Sequence, residues 1–209
     1  MMQVSSGPPA ALSGVWDAAV LGPVREINEQ VIDRLCEAAL AAATDGGGLL
    51  AAVRQEFAHA PAPARRRVAD CPYLLLDAGF GEPLRWMRPA GVRDTPSPPS
   101  PPATLDCGVA LARQALVLGW HLARSNRLAA RIALGMTADC AELIGAWRLT
   151  DLEALAESDR GCVRRRWESR MELWRPMLRA AMADCGGSLA GLQMRGLQLL
   201  AGDAALADV

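Results

Sequence analysis

Six cysteines, at positions 36, 71, 107, 140, 162 and 185, and two histidines, at 59 and 121, are the residues of this 209-residue chain best suited to metal or nucleophilic chemistry. A tetrahedral zinc site recruits its ligands in close pairs. No Cys-x-x-Cys or Cys-x-His pair occurs, so the spacing predicts no metal site. Acyl transfer needs a nucleophile beside a base, usually displayed on a strained turn. No Gly-x-Ser-x-Gly is present; His59 sits among alanines before a proline-rich turn and His121 follows Trp120, so both read as ordinary histidines. Glu153 and Glu157 stand four apart without an accompanying histidine, which predicts a solvated helix surface. The chain has no lysine, so a phosphate-binding Walker loop is excluded and Gly46 to Gly48 read as a helix stop. These exclusions predict a non-enzyme: no catalytic residue, no metal, no cofactor and no small-molecule substrate. Most of the cysteines are expected to be small core residues in a reducing compartment.

The arginines are the second chemical resource. All 22 basic residues are Arg, which reflects either a GC-rich coding sequence or guanidinium recognition of phosphate and carboxylate. Arg65, Arg66 and Arg67 form a short run. A larger cluster holds Arg160, Arg164, Arg165, Arg166, Arg170, Arg175 and Arg179, with Glu168 and Glu172 among them. A long helix is predicted from about Cys162 to Ala183, with Val163, Trp167, Met171, Trp174, Leu178 and Met182 as a near-heptad buried seam. On that reading the arginines point outward and make a locally positive surface for phosphate or for a protein partner. The plainer alternative pairs them with Glu168 and Glu172 on an ordinary wet helix. Trp and Arg dominate binding hot spots, so Trp167, Met171 and Trp174 are interface candidates as well as core candidates.

The chain that must position these groups is 51% hydrophobic and 22% charged, with two Phe and one Tyr. This Ala- and Leu-rich alphabet suits helices and lacks the residues that pack on pleated sheets. The fold class predicted is all-α: a multi-helix bundle of two helical halves joined by a proline-rich linker. Net charge is −1, so no global field draws the chain to nucleic acid or an anionic membrane. The longest apolar run, Gln114 to Ala123, is too short to span a bilayer, and MMQVSSGPPA lacks the pattern of a signal peptide, so a cytoplasmic protein with no membrane partner is expected.

Residues 1–11 are expected to be disordered, 12–94 to form an N-terminal helical region, 95–102 the linker, and 103–209 a C-terminal helical domain. Thr95-Pro-Ser-Pro-Pro-Ser-Pro-Pro102 cannot continue a helix; a long loop inside one domain is the alternative to a hinge. Gly22-Pro23 opens a helix whose stripe is Val24, Ile27, Val31, Leu35 and Ala38. Leu49 to Phe57 starts a second helix and Arg65 to Asp70 a short third. Cys71 to Phe80 is a continuous apolar run that reads as strand or helix; helix is favoured because no partner strand is evident. Further on, residues 105–124 place Val109, Ala112, Leu116, Trp120 and Ala123 on one face, with an interruption at Ser125 or Asn126. Gly135 ends the segment that follows, Thr137 caps the next, and Thr150-Asp-Leu-Glu153 reads as a capping box. After a break at Gly186-Gly187, a last helix runs from Leu189 to Leu200.

The blocks Arg131-Ile-Ala-Leu-Gly-Met136, Ala141-Glu-Leu-Ile-Gly-Ala146 and Leu152-Glu-Ala-Leu-Ala-Glu157 resemble the flagellar transcriptional activator subunit FlhD family, over residues 127–158. The resemblance implies a helical regulator that acts through a partner protein or as a homo-oligomer; nucleic acid is the further partner class. No partner-binding position carries over, because the first hundred residues have no counterpart. The alternative is a helical adaptor or assembly protein that binds other proteins through Trp/Arg surfaces.

Overall fold

A computed structural model describes residues 17–41, 49–87, 108–159, 161–168 and 170–207. The expected disordered N-terminus, the Gly46–Gly48 stop, the proline-rich linker and Arg160 lie outside the described residues. The fold is all-α: ten helices and one two-stranded sheet occur among the described residues. In chain order they are α1 (Ala18–Ala41), α2 (Leu49–His59), α3 (Ala62–Ala69), β1 (Leu76–Asp77), α4 (Pro83–Trp86) and α5 (Gly108–Ser125). Then come α6 (Arg127–Leu134), α7 (Ala138–Ala146), α8 (Leu149–Ser158), β2 (Arg164–Arg165), α9 (Met171–Met182) and α10 (Gly186–Ala207).

Helix α1 begins earlier than its proline suggests. The Asp17 carboxylate accepts from the Ala19 N–H at 3.2 Å, and Pro23 lies inside the helix. Pro23 and Ala19 are both exposed, so the hydrogen bond that Pro cannot donate is missing at the outer surface of the helix. Val20, Val24, Ile27, Val31 and Leu35 follow as one buried stripe. That stripe packs on α2, α3 and α5. One buried cluster takes side chains from both sides of the proline-rich segment, from Val24 and Phe57 to Leu116, Ile144 and Trp174.

The middle of the chain follows its local signals. The Asn126 side chain accepts from Ala129 N–H at 3.0 Å to start α6, Gly135 at φ 65° ends it, and Thr137 caps α7 by accepting from Cys140 N–H at 3.2 Å. Helix α8 starts one residue before the expected box: Asp151, not Glu153, reaches back to accept from Arg148 N–H at 3.4 Å.

Two expectations fail, and they fail together. Residues 71–80 are irregular around the short strand Leu76–Asp77 rather than helical, and the predicted continuous helix from 162 to 183 does not form. Leu76 pairs with Arg165 and Asp77 with Arg164 in an antiparallel ladder, so each segment is the missing partner of the other. The rest of the extended run is satisfied by groups far away in sequence. Leu74 N–H donates to Ala133 O at 2.9 Å and Arg166 N–H to Leu75 O at 2.8 Å. The fully buried Asn28 amide donates to Tyr73 O at 2.9 Å and accepts from Leu75 N–H at 2.8 Å. The chain then turns through Trp167 at φ 55°, a conformation uncommon for a bulky residue, and α9 begins at Met171.

Candidate protein-interaction surface

Of the arginines expected to form a positive outer face, Arg165 and Arg166 are taken inside the molecule. Arg166 is 9% exposed: its Nε donates to Leu74 O at 3.0 Å and its Nη2 to Leu76 O at 3.1 Å and Leu134 O at 2.9 Å. Burial pushes its pKa down, and Asp77, with Oδ1 3.7 Å away, opposes that shift. Arg165 is also buried and pairs with Glu168, Nε to Oε1 at 2.6 Å. Arg164 bonds Glu82 at 2.9 Å, and Arg175 and Arg179 converge on Glu56 at 3.3 and 3.1 Å. Arg170 lies half-buried just ahead of α9. Arg165 and Arg166 thus lie inside, whereas Arg164, Arg175 and Arg179 stay largely at the surface, paired with Glu82 and Glu56.

A rule governs where many of the guanidinium groups go. The last carbonyls of a helix lack intrahelical donors and carry partial negative charge. Arg54 donates to Ala39 O near the end of α1 at 2.9 Å, and Arg67 to Ala181 O of α9 at 2.7 and 2.9 Å. Arg124 donates to Gly145 O of α7 at 3.0 Å, and Arg166 to Leu134 O of α6. Four helix C-termini are thus closed by arginines from other elements. The forks recognise carbonyls of their own chain.

The tryptophans are spent in the same way. Trp120 Nε1–H donates to Trp147 O at 2.9 Å, Trp147 Nε1–H to Trp86 O at 3.1 Å, and Trp86 Nε1–H to Gly79 O at 2.8 Å. Trp174, an interface candidate from sequence, is fully buried: it lies 5.9 Å from the Phe57 ring and donates to Arg166 O. Trp167 meets Tyr73 edge-on at 5.2 Å; it and Met171 are half-buried against the core. Trp86, Trp120, Trp147 and Trp174 thus each place the indole N–H on a backbone carbonyl of the chain.

Helix α10 packs on α9 and α6 and leaves its other face exposed. Leu189 and Leu200 are buried, Gln193 Nε2–H donates to Arg67 O at 3.2 Å, and Tyr73 Oη occupies the place a Cβ on Gly196 would take. Between Ser188 and Asp203 its exposed positions are Ser188, Ala190, Gly191, Met194, Arg195, Gln198, Ala201, Gly202 and Asp203, which carry two charges. Gly191 and Gly202 have open space where a Cβ would stand, so packing within the chain gives no reason for glycine there. The exposed positions of α1, by contrast, include Arg25, Glu26, Asp33, Arg34 and Glu37. A helix without a charged face is ordinarily covered.

Beside this face lies a groove of about 460 Å³ between α6 and α10, floored by Leu128, Ile132, Leu197 and Ala201, with Arg131 and Gln198 on its lips. Leu128 is 42% exposed and Met194 54%. A second groove of about 440 Å³ between α1 and α5 has Glu26, Arg113 and His121 at its edges, the dress of an ordinary wet surface. The signal for α10 was present in the sequence: Arg195 and Asp203 are its sole charges in 22 residues. That signal was outweighed by the more conspicuous Trp and Arg residues.

No protein-family model, curated protein or solved structure matches the chain. Among the described residues no group of three or more His, Cys, Asp or Glu could hold a metal ion, and no helix is long and apolar enough to cross a membrane. Cys36, Cys71, Cys140 and Cys162 are buried and Cys185 is exposed. Burial pushes the Cys71 thiol up to about 12 and the Cys36 thiol up to about 11, which leaves both protonated and inert at neutral pH. His59 and His121 are exposed, and His59 Nδ1 lies 2.8 Å from Gln55 O.

Proposed function

We propose that this chain is a non-catalytic helical adaptor or assembly protein, which works by docking another protein on the uncharged face of α10 and the adjoining α6–α10 groove. The observation that carries the reading is the exposed row Ala190, Gly191, Met194, Gln198, Ala201 and Gly202, which has no charge and no intramolecular partner to explain its glycines. Exposed apolar surface next to a concave groove is what partner helices recognise. A transcription regulator of the FlhD kind acting through a partner protein would use the same surface. Of its blocks, Arg131 and Ile132 near the end of α6 line that groove, and the others fall on α7 and α8. Of the arginines considered for phosphate contact, Arg165 and Arg166 are buried, and Arg164, Arg175 and Arg179 at the surface are paired with carboxylates.

The test is a Met194→Glu variant, expressed with a tag in its cell of origin. Met194 is exposed and Glu is an equally good helix former, so stability should change by less than about 0.5 kcal/mol. The wild-type chain is expected to co-purify a protein in stoichiometric amount, and the variant to lose it with an unchanged melting curve. Equal recovery by both chains would refute the reading.

A further inference from the structure

We infer that α10, whatever docks on its outer face, is a separable cover. It releases from α6 and α9 as a unit while the rest of the chain stays folded, and so uncovers Tyr73 and the guanidinium of Arg166. The docked position carries a cost. Tyr73 Oη is buried, has no hydrogen-bond partner among the described residues, and abuts the place where a Cβ on Gly196 would stand. A phenol held against a helix backbone in this way has lost water without gaining an acceptor. The Tyr73 ring also meets Trp167, whose φ of 55° is strained for a bulky residue. One turn further along α10, Leu200 Cδ2 and Arg166 Nη1 lie 2.8 and 3.7 Å from where a Cβ on Gly135 would stand. Burial there holds the Arg166 guanidinium below its ordinary pKa. An unmet donor, a strained backbone and a desolvated cation thus gather beside one turn of α10, Gly196 to Leu200.

The helix itself resists release weakly. Gly191, Gly196 and Gly202 lie inside it, and each interior glycine disfavours helix formation about fivefold against alanine. A helix of that composition does not persist alone in water, so release and melting go together. Leu189 and Leu200 hold it down, with the Gln193 bond to Arg67 O at 3.2 Å and the attraction of Asp203 for Arg166; it contributes no aromatic ring to the core. The link from α9 has the marks of a hinge. Asp184 takes a left-handed φ of 56° where glycine usually closes a helix, and Gly186 and Gly187 have open space where a Cβ would stand.

Hydrogen–deuterium exchange of the full chain, read by mass spectrometry, tests this. The α10 amides from Leu192 to Ala201 are expected to share one rate, about tenfold or more above that of the α1 amides from Ile27 to Leu35. Tyr73→Phe removes only the unmet hydroxyl and should slow the α10 amides about tenfold, because release no longer relieves it. Ile32→Val, in the buried stripe of α1, should speed the α1 amides about fivefold and leave α10 unchanged, since α1 stays folded when α10 leaves. Exchange of α10 that quickens together with α1 in Ile32→Val means that the helix opens only with the whole fold, and overturns the inference. Rates graded along α10 are fraying from an end, and α10 rates indifferent to Tyr73→Phe mean that opening does not reach Tyr73; either result overturns it too.

Discussion

Replacing Arg166 with Met removes a buried cation of nearly matching length and separates a structural arginine from a surface one. In the native chain three carbonyls, on Leu74, Leu76 and Leu134, accept from this guanidinium at 2.9 to 3.1 Å. Hydrogen bonds to a charged donor contribute about 1.5–3 kcal/mol each, and a buried acceptor left without one costs about 1–3 kcal/mol. Against this stands the relief of no longer burying a charge, which is several kcal/mol. The balance for breaking one side of such an arrangement is a loss of about 3–5 kcal/mol. Arg164→Met is the control. Its side chain is 51% exposed and its bond to Glu82 is a surface ion pair, so the expected loss is about 0–1 kcal/mol. Urea titration followed by far-UV circular dichroism reads both values; in a thermal scan Arg166→Met should fall by about 6–20 °C. If the two variants lie within about 0.5 kcal/mol of each other, the buried-arginine frame is wrong and a solvated arginine helix is restored.

Other consequences follow from the same frame. Gly191→Ala should stabilise the isolated chain by about 0.5–1 kcal/mol, because α10 has open space at that Cβ. Gly196→Ala should destabilise it, since Tyr73 fills that space; differential scanning calorimetry compares the two. Tyr73→Phe should be neutral or stabilising, as its hydroxyl is buried without a hydrogen-bond partner; a loss above about 1 kcal/mol in chemical denaturation would show that the hydroxyl is bonded. Alkali should destabilise the fold through Cys71. Its folded pKa, raised from 9.0 to about 12, exceeds the unfolded value, so its contribution is complete below about pH 9 and is lost as pH rises toward 12. Cys71→Ala should flatten the stability–pH profile over that window, and an unchanged slope would contradict the assignment.

How much of this was legible in the sequence depends on the range of the interactions involved. Helices α5 to α7 follow signals within a few residues: Asn126 and Thr137 as caps, Gly135 as a left-handed stop, and the buried stripe Ala112, Leu116 and Ala123. Residues 71–80 and 161–168 resist such reading, because what holds them comes from 32 to 92 positions away, through Asn28, Ala133 and Arg166. A two-residue ladder between Leu76-Asp77 and a pair of arginines has no propensity signature at all. The Arg/Trp cluster misled for a physical reason. Helical periodicity puts the arginines outward and Trp167 and Trp174 on the buried seam, yet a guanidinium carries donors that buried carbonyls need, and the fold takes Arg166 inward. The α10 face was readable as a lack of charge in 22 residues, a weaker cue than any aromatic.

The most direct test of the central claim compares the two surfaces in one measurement. The chain is expressed in its cell of origin as wild type, as Met194→Glu and as an Arg175→Ala/Arg179→Ala double variant, and the native mass of each purified species is determined by light scattering. Wild type and the arginine variant are expected to run as an assembly larger than the 22.2 kDa chain, and Met194→Glu as the 22.2 kDa chain alone. An assembly that survives Met194→Glu and is lost in the arginine variant would place the working surface on α9 and contradict the account.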